Sequence, residues 1–106
     1  MDKNEKLKYE MQAAVIKALA HPTRLFIVER INREEICMCR LAAEAGSDIT
    51  TVSKHVALLK QAGVVRVEKR GTQIFPKLKC VRLNRLLETV DDVLRANARD
   101  MQRATA

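Results

Sequence analysis

"RLAAEAGSDITTVSKHVALLKQAG", residues 40–63, predicts two helices joined by a tight turn. The first helix is short, from Arg40 to Ala45, and Gly46 stands where a residue with positive φ can end it. Asp48 can cap the second helix, because an aspartate side chain accepts hydrogen bonds from free N–H groups of the first turn. The apolar residues that face inward in this second helix are Val52, Val56 and Leu59. A short helix, a turn and a longer helix form a helix-turn-helix.

The outer face of the second helix is polar. Its side chains can hydrogen-bond to bases or phosphates, and none of them is needed for packing. In a helix-turn-helix the second helix enters the major groove of DNA. We predict that five of its residues contact DNA: Thr50, Thr51, Ser53, Lys54 and His55.

The next segment, VVRVEKRGTQIFPKLK at residues 64–79, alternates apolar and charged residues and turns around Gly71. It predicts a two-stranded hairpin with a basic tip. A basic hairpin directly after a helix-turn-helix is a wing, so the predicted fold class is mainly α with a small β-hairpin wing. We add four residues to the predicted DNA contacts: Lys60, Lys69, Arg70 and Thr72.

One part of the chain carries the whole net charge of +7. Residues 54–82 hold eight Lys and Arg residues and one Glu, whereas the remainder holds twelve basic and twelve acidic residues. A basic surface of this kind is expected to meet nucleic acid phosphates, although a solvated basic face gives the same count. Two Phe and one Tyr provide no stacking platform for single strands or RNA, which favours double-stranded DNA.

Amphipathic helices are predicted at both ends of the chain. Apolar residues recur at helical spacing in residues 5–19 and 82–101, and a further helix is expected from Pro22 to about Asn32. The last helix has few partners for its apolar stripe in so small a domain. We therefore expect a homodimer that packs through its N- and C-terminal helices. Residues 1–106 are predicted to form a single winged helix-turn-helix DNA-binding domain with terminal dimerisation helices.

No stretch of the sequence has the roughly 20 apolar residues that a membrane span needs, and the first ten residues lack the apolar run of a signal peptide. We therefore expect a soluble, cytoplasmic protein with no membrane partner. The chain has three cysteines, an odd number that suits reduced thiols better than a disulfide framework.

Two of these cysteines, Cys37 and Cys39, stand one residue apart directly before the helix-turn-helix. Residues two apart project from one face of a strand but from nearly opposite sides of a helix, so residues 35–39 are expected to be extended or only partly helical. Thiolates suit soft, thiophilic ions, and trivalent arsenic takes three sulfurs in a pyramid. The alternative is that each cysteine is a small buried hydrophobe.

Four segments in this order, ALAHPTRLFIV, EICMCRLAAEAG, TTVSKHVALLKQAGVV and EKRGTQIF, resemble the ArsR/SmtB family of bacterial winged-helix metal-responsive repressors. The resemblance covers most of the chain, from about Val15 to Leu87. It implies a homodimeric repressor that holds operator DNA and releases it when an inducer binds. In the arsenic-responsive branch a C-x-C pair before the helix-turn-helix supplies thiolates to trivalent arsenic or antimony, which implies ligand roles for Cys37 and Cys39.

The chain departs from the best-known pattern of this family at the third ligand. Ala42 stands where a third cysteine is expected, and Arg40 stands where an acid is usual. The remaining thiol is Cys80, at the end of the returning wing strand. In a winged helix a short strand before the third helix commonly pairs with that returning strand, which would bring Cys80 beside Cys37. We therefore predict a three-thiolate site of Cys37, Cys39 and Cys80, with arsenite or antimonite as inducer and no permanent cofactor.

Two other functions remain open at this point. A repressor of the same fold could sense oxidants or reactive sulfur through exposed cysteines beside Arg40. A thiol oxidoreductase could use Cys37 and Cys39, but the chain lacks a βαβ pattern and the basic wing would be unexplained. The sequence has no Ser/His/Asp set, Gly-rich phosphate loop or paired-carboxylate signature, so we expect that the protein is not an enzyme.

Overall fold

In the computed structural model, which describes residues 1–105, five α-helices and one β-hairpin follow one another along the chain. The elements are α1 (Lys3–Leu19), α2 (Pro22–Arg33), α3 (Met38–Ala45), α4 (Ile49–Gln61), β1 (Val65–Arg70), β2 (Gln73–Leu78) and α5 (Leu83–Thr105). The two strands pair antiparallel, with Val65 opposite Leu78 and Arg70 opposite Gln73. The predicted fold class, mainly helical with a hairpin directly after the helix-turn-helix, is confirmed.

Side-chain caps fix the first residues of α2 and α4. His21 Nδ1 accepts a hydrogen bond from the backbone N–H of Thr23 at 3.0 Å, and Pro22 occupies the first helical position, where no N–H donor is required. The Asp48 carboxylate accepts a hydrogen bond from the backbone N–H of Thr51 at 2.8 Å. These caps satisfy N–H groups that have no partner within the helix, so both predicted helix starts are confirmed.

The third helix begins at Met38, two residues earlier than the sequence predicts. Cys37 is extended, with φ −77° and ψ 159°, and its carbonyl accepts the first helical hydrogen bond, from the N–H of Leu41 at 3.0 Å. Cys39 therefore lies in the first turn of α3, whereas Cys37 lies just outside it. The expectation that the cysteine pair occupies a partly helical segment is confirmed.

The core lies between α2, the helix-turn-helix and the hairpin. Its buried apolar side chains are Leu19, Ile27, Val28, Ile31, Ile36, Met38, Leu41, Ala42, Val52, Val56, Leu59, Val64 and Val65. All three inward-facing residues predicted for α4 belong to this set, and each is at most 2% exposed. The core therefore holds α4 by one face and leaves its other face to solvent.

Within residues 1–105 no third strand joins the hairpin, so the predicted pairing that would place Cys80 beside Cys37 is wrong. Pro76 gives a physical reason. A proline inside a strand is tolerated where its missing N–H would point away from the ladder, so the outer edge of β2 lacks a donor for a third strand. The segment before α3 contacts the hairpin through side chains instead: Lys77 Nζ donates a hydrogen bond to the Glu35 carboxylate at 2.7 Å.

The terminal helices extend beyond this core. The radius of gyration is 16.7 Å, whereas a compact domain of this length has about 13 Å. No residue of α5 is fully buried, and its large apolar side chains Leu86, Val90, Val93 and Leu94 are all exposed. None of the helices within residues 1–105 is both long enough and apolar enough to cross a membrane.

Candidate DNA interface and thiol cleft

Five of the predicted DNA contacts lie on the exposed surface of α4. They are Thr50, Thr51, Ser53, Lys54 and Lys60. The buried residues of α4 hold the opposite face against the core, so these hydroxyl and ammonium groups can meet a duplex without any change in packing. An exposed polar face opposite a buried apolar face is what a recognition helix needs in order to enter a major groove.

His55 is placed differently from these residues. It is half-buried on the flank of α4 that faces the start of α2, where its ring lies 4.5 Å from that of His21 between centroids. Arg24 Nη1 lies 3.3 Å from His55 Nδ1. Burial, then the charges of His21 and Arg24, lower the pKa of His55, which favours the neutral imidazole. Packing between α2 and α4 accounts for this side chain, and the DNA contact predicted for it stays a prediction.

The wing presents a basic tip, with Lys69, Arg70 and Thr72 all exposed around Gly71. Gly71 has φ +61°, a conformation that L side chains rarely adopt and that the tight turn requires. Lys69 belongs to no ion pair among residues 1–105, so its ammonium group is available to a phosphate. Thr72 follows Gly71 in the same turn, between the two strands.

Arg70 is exposed, but its guanidinium is bound to other residues of the same chain. It forms ion pairs with Glu35 and Glu68, and its guanidinium lies 4.7 Å from the centroid of the Phe75 ring. Glu35 belongs to the segment just before α3, so this ion pair ties the wing to the helix-turn-helix. Arg70 therefore positions the wing in addition to any contact that it makes with DNA.

We expect Glu35→Gln to flatten the acid limb of the stability profile. Hydrogen bonds from Arg70 and then Lys77 lower the pKa of Glu35 from 4.5 to about 2. Because the folded pKa lies below the unfolded value, the stabilising contribution is complete above about pH 4.5 and is lost as the pH falls towards 2. Melting temperatures measured by circular dichroism between pH 7 and 2 should fall less steeply for the variant in that window. Parallel profiles would contradict this coupling.

Arg30 forms a second link that the sequence analysis missed. This side chain is only 4% exposed, and it donates hydrogen bonds to Glu44 of α3 at 3.0 and 3.1 Å and to Glu34 at 2.6 Å. The exposed Arg40 guanidinium lies 3.3 Å from Glu44 and 3.6 Å from Glu34. Glu44 thus holds α3 against α2. The sequence could have indicated that Arg30 is buried, because Arg30 follows Ile27 at the three-residue spacing of the buried face of α2.

The structure separates the three cysteines into two places. Cys37 is half-buried and Cys39 is exposed, and both line one cleft at the start of α3. Cys80 is exposed and follows the end of β2. Its neighbour Lys79 donates a backbone hydrogen bond to the carbonyl of Val64, so Cys80 lies at the open end of the hairpin, away from the turn. Among residues 1–105 no three His, Cys, Asp or Glu side chains are grouped so that they could hold a metal ion. Within one chain, therefore, the structure does not assemble the predicted three-thiolate site.

The cleft that holds the two thiols has a volume of about 130 Å³. Its walls come from three parts of the chain: the start of α3, the first turns of α4 and the turn of the wing. The lining residues are Cys37, Met38, Cys39, Ile49, Ser53, Thr72, Gln73 and Ile74. Two of them, Ser53 and Thr72, are also predicted DNA contacts. The thiols therefore line the same cleft as residues of the two elements that are predicted to contact DNA.

A second cleft lies between the terminal helices and is mostly apolar. It has a volume of about 340 Å³, and its apolar lining residues are Ile16, Leu19, Ala20, Leu25, Leu86, Leu87, Val90 and Leu94. Several of these side chains are largely exposed in the single chain. Exposed apolar side chains that line one continuous surface are typical of an interface.

Comparison with known proteins agrees with this geometry. Residues 21–67 match the family described as bacterial regulatory protein, arsR family. An uncharacterised HTH-type transcriptional regulator from Methanocaldococcus jannaschii is 33% identical over 87 residues, which cover 81% of this chain and 98% of that protein. The cadmium resistance transcriptional regulatory protein CadC homolog from Staphylococcus aureus is 34% identical over 77 residues, or 72% of this chain and 64% of that protein.

Solved structures share the fold. The homodimeric winged helix-turn-helix DNA-binding domain of a possible ArsR-family regulator from Mycobacterium bovis has a TM-score of 0.77 at 27% identity, covering 87% of this chain and 88% of that one. NolR from Sinorhizobium fredii has a TM-score of 0.80 at 20% identity, covering 88% and 93%. The fold, the exposed recognition helix and these relatives define a DNA-binding transcriptional regulator rather than an enzyme. The chain belongs to the arsR family of bacterial regulatory proteins.

Proposed function

We propose that this protein is a homodimeric repressor that leaves its operator when a trivalent arsenic or antimony species binds Cys37 and Cys39. One observation carries the proposal: both thiols line a cleft whose other walls are the first turns of α4 and the turn of the wing. A ligand held there by sulfur touches both elements that face DNA. Its binding can therefore change how those elements are aimed.

The thiols suit a soft ligand. Thiolate sulfur selects soft ions, and the described residues offer no cluster of carboxylates and imidazoles that would favour a harder one. Cys37 and Cys39 are two residues apart, so their Cα atoms lie within about 7 Å, and both residues line the same cleft. The Arg40 guanidinium, which follows the pair in the chain, forms ion pairs with Glu34 and Glu44.

The dimer follows from the exposed apolar surface of α5 and from the spacing of DNA. Two copies related by a two-fold axis can place two recognition helices in successive major grooves, about 34 Å apart. The Mycobacterium bovis domain with this fold is homodimeric. Two copies of a strongly basic chain also double the number of phosphate contacts.

Release requires a difference in affinity between two states. The ligand must bind the DNA-free protein more tightly than the DNA-bound protein, and DNA must then weaken ligand binding by the same factor. A hundredfold difference corresponds to a coupling free energy of about 2.7 kcal/mol. This reciprocity can be measured from either side.

Titration of the DNA-bound protein with arsenite, antimonite, cadmium and hydrogen peroxide tests the proposal. We expect release at stoichiometric trivalent arsenic or antimony, measured by fluorescence anisotropy of labelled operator. Cadmium is included because the CadC homolog from Staphylococcus aureus is named for cadmium resistance. Release by peroxide alone would favour the alternative of an oxidant or reactive-sulfur sensor, for which the exposed thiol of Cys39 is the supporting observation.

DNA reading is tested by comparing the recognition helix with the wing. Ser53→Ala and Lys54→Ala should weaken binding to the operator by about tenfold and binding to random duplex much less, because base contacts carry sequence information. Lys69→Ala should weaken both equally and reduce the slope of log affinity against log salt by about 1, because one phosphate is no longer neutralised. Equal losses on both duplexes for all three variants would contradict the assignment of α4.

A further inference from the structure

The side chain of Arg24 connects three helices. Arg24 lies in the first turn of α2, and its Nε donates a hydrogen bond to the carbonyl of Ala18, in the last turn of α1, at 2.6 Å. The carbonyls of a last helical turn have no partner within their own helix, so this bond satisfies one of them. Nη1 of the same guanidinium lies 3.3 Å from Nδ1 of His55 in α4. One side chain thus links the end of a terminal helix to the recognition helix.

This link requires a neutral imidazole at His55. An arginine guanidinium has donors only, so Nδ1 of His55 accepts the hydrogen bond and the proton of the neutral ring lies on Nε2. A protonated imidazole is a donor at both nitrogens and cannot accept this bond. It would also bring a positive charge beside the Arg24 guanidinium and beside the ring of His21, whose centroid lies 4.5 Å away.

The groups around His55 oppose its protonation. Burial lowers the pKa of His55, and the charges of His21 and Arg24 lower it further. From α1, the cationic side chain of Lys17 lines one cleft together with Arg24 and with Leu58, which lies three residues after His55. Within residues 1–105 no carboxylate is among the groups that shift this pKa. The neutral ring is therefore the major form at pH 6.5 and above.

An open cleft separates α1 from α4 next to this link. It has a volume of about 400 Å³. Its lining residues are Ala14, Lys17, Ala18, Arg24, Leu58, Gln61 and Ala62. Leu58 is 48% exposed there, so apolar packing between the two helices is incomplete at this point. The hydrogen bonds of Arg24 therefore contribute to holding α4 at a defined distance from α1.

We propose that Arg24 and the neutral ring of His55 position the recognition helix relative to α1, and that protonation of His55 weakens binding to the operator. The inference goes beyond the proposed ligand response and rests on one part of the proposed function, the homodimer that packs through its terminal helices. In that dimer α1 belongs to the part that sets the distance between the two recognition helices. Arg24 and His55 are thus positioning residues, and neither needs to touch DNA.

The pH dependence of operator affinity, measured by fluorescence anisotropy between pH 8 and pH 5, tests the role of His55. Because burial and positive neighbours favour the neutral ring in the folded protein, the affinity of the native dimer should be constant above pH 6.5 and should fall about tenfold towards pH 5. His55→Asn keeps an acceptor near the position of Nδ1 but does not titrate. It should therefore retain the affinity at pH 7.5 within about threefold and show a flat profile.

His21→Asn is the matched control, because asparagine also caps a helix and the variant removes the other histidine of the chain. It should keep the fall in affinity at low pH. A profile of His55→Asn that is parallel to the native one would overturn the proposal. So would an affinity that rises at low pH and depends on His55, which would instead indicate a contact between a protonated ring and a DNA phosphate.

Arg24→Lys tests the positioning role directly. It keeps the positive charge, but a single ammonium group replaces the fork that reaches both Ala18 and His55. The affinity for an operator with two half-sites should fall about tenfold, and the affinity for a duplex with one half-site less than about twofold, because only the spacing of the two recognition helices is disturbed. Arg33→Lys makes the same change at the other end of α2 and should alter neither value.

Two results separate this inference from the proposed function. Equal losses on both duplexes for Arg24→Lys, or a flat pH profile of a native protein that sediments as a dimer, would overturn the positioning role alone. A native protein that sediments as a monomer while it binds the operator would reject the proposed homodimer, and the positioning role with it.

Discussion

Val90→Asp is expected to produce a monomer and to reduce operator affinity by about 100-fold or more. Val90 is 47% exposed in the single chain and lines the apolar cleft between the terminal helices. In the proposed dimer an aspartate at this position would be buried without a partner, which is strongly unfavourable for association. Each monomer would then bind one half-site and lose the gain that comes from linking two sites.

Sedimentation velocity and fluorescence anisotropy measure the two effects separately. Leu94→Asp provides a second variant on the same stripe, and Gln102→Asp introduces the same residue on α5 outside the lining of the cleft as a control. Leu87 is not suitable, because it packs against the core of its own chain and a charge there would disturb folding. A Val90→Asp protein that sediments as a dimer with normal operator affinity would contradict this interface.

The sequence was sufficient to predict the helix-turn-helix and the wing because local signals and apolar spacing agree there. Gly46 adopts φ +68° at the predicted end of α3, and Asp48 makes the predicted cap. The inward-facing residues of α4 are fixed by the period of the helix, and the core confirms them. Where caps, turn residues and apolar spacing all favour the same structure, the local sequence is sufficient to predict it without knowledge of tertiary contacts.

His55 shows where a face was assigned too broadly. It stands three residues after Val52 and four before Leu59, so its Cβ lies next to the buried stripe and not on the outer face. The ring accordingly packs beside His21, itself a helix cap. The helical period alone could have placed it on the flank, although it could not have indicated the contact with Arg24 from α2.

The position of Cys80 could not be obtained from spacing, because it depended on a third strand that does not form. Pro76 was a signal against that strand, since a proline removes a ladder donor from the edge of β2. The cleft itself was beyond sequence reasoning. Its walls come from the start of α3, the start of α4 and the turn of the wing, and only the folded chain brings these three segments together.

Replacing either thiol of the pair should separate ligand sensing from DNA binding. Cys37→Ser and Cys39→Ser should each raise the concentration of phenylarsine oxide or antimonite needed for half-release by about 100-fold or more, because the second bond to a chelated atom forms at a high effective concentration. Operator affinity without ligand should change less than about threefold, because neither Cys37 nor Cys39 belongs to the buried core.

Cys80→Ser is the matched control, because it removes an exposed thiol from the same chain at a place outside the cleft. It should leave both the ligand response and the DNA affinity unchanged. X-ray absorption of the arsenic complex should count two sulfur neighbours in the native protein and in Cys80→Ser, and one in Cys37→Ser. Three sulfur neighbours that fall to two in Cys80→Ser would show that a Cys80 thiol completes the site, and would require a second subunit or a rearranged hairpin to bring it there. By linkage, binding to operator DNA should lower the affinity of the native protein for phenylarsine oxide by a certain factor, and the ligand should lower the affinity for operator DNA by the same factor. In Cys37→Ser this factor should approach 1.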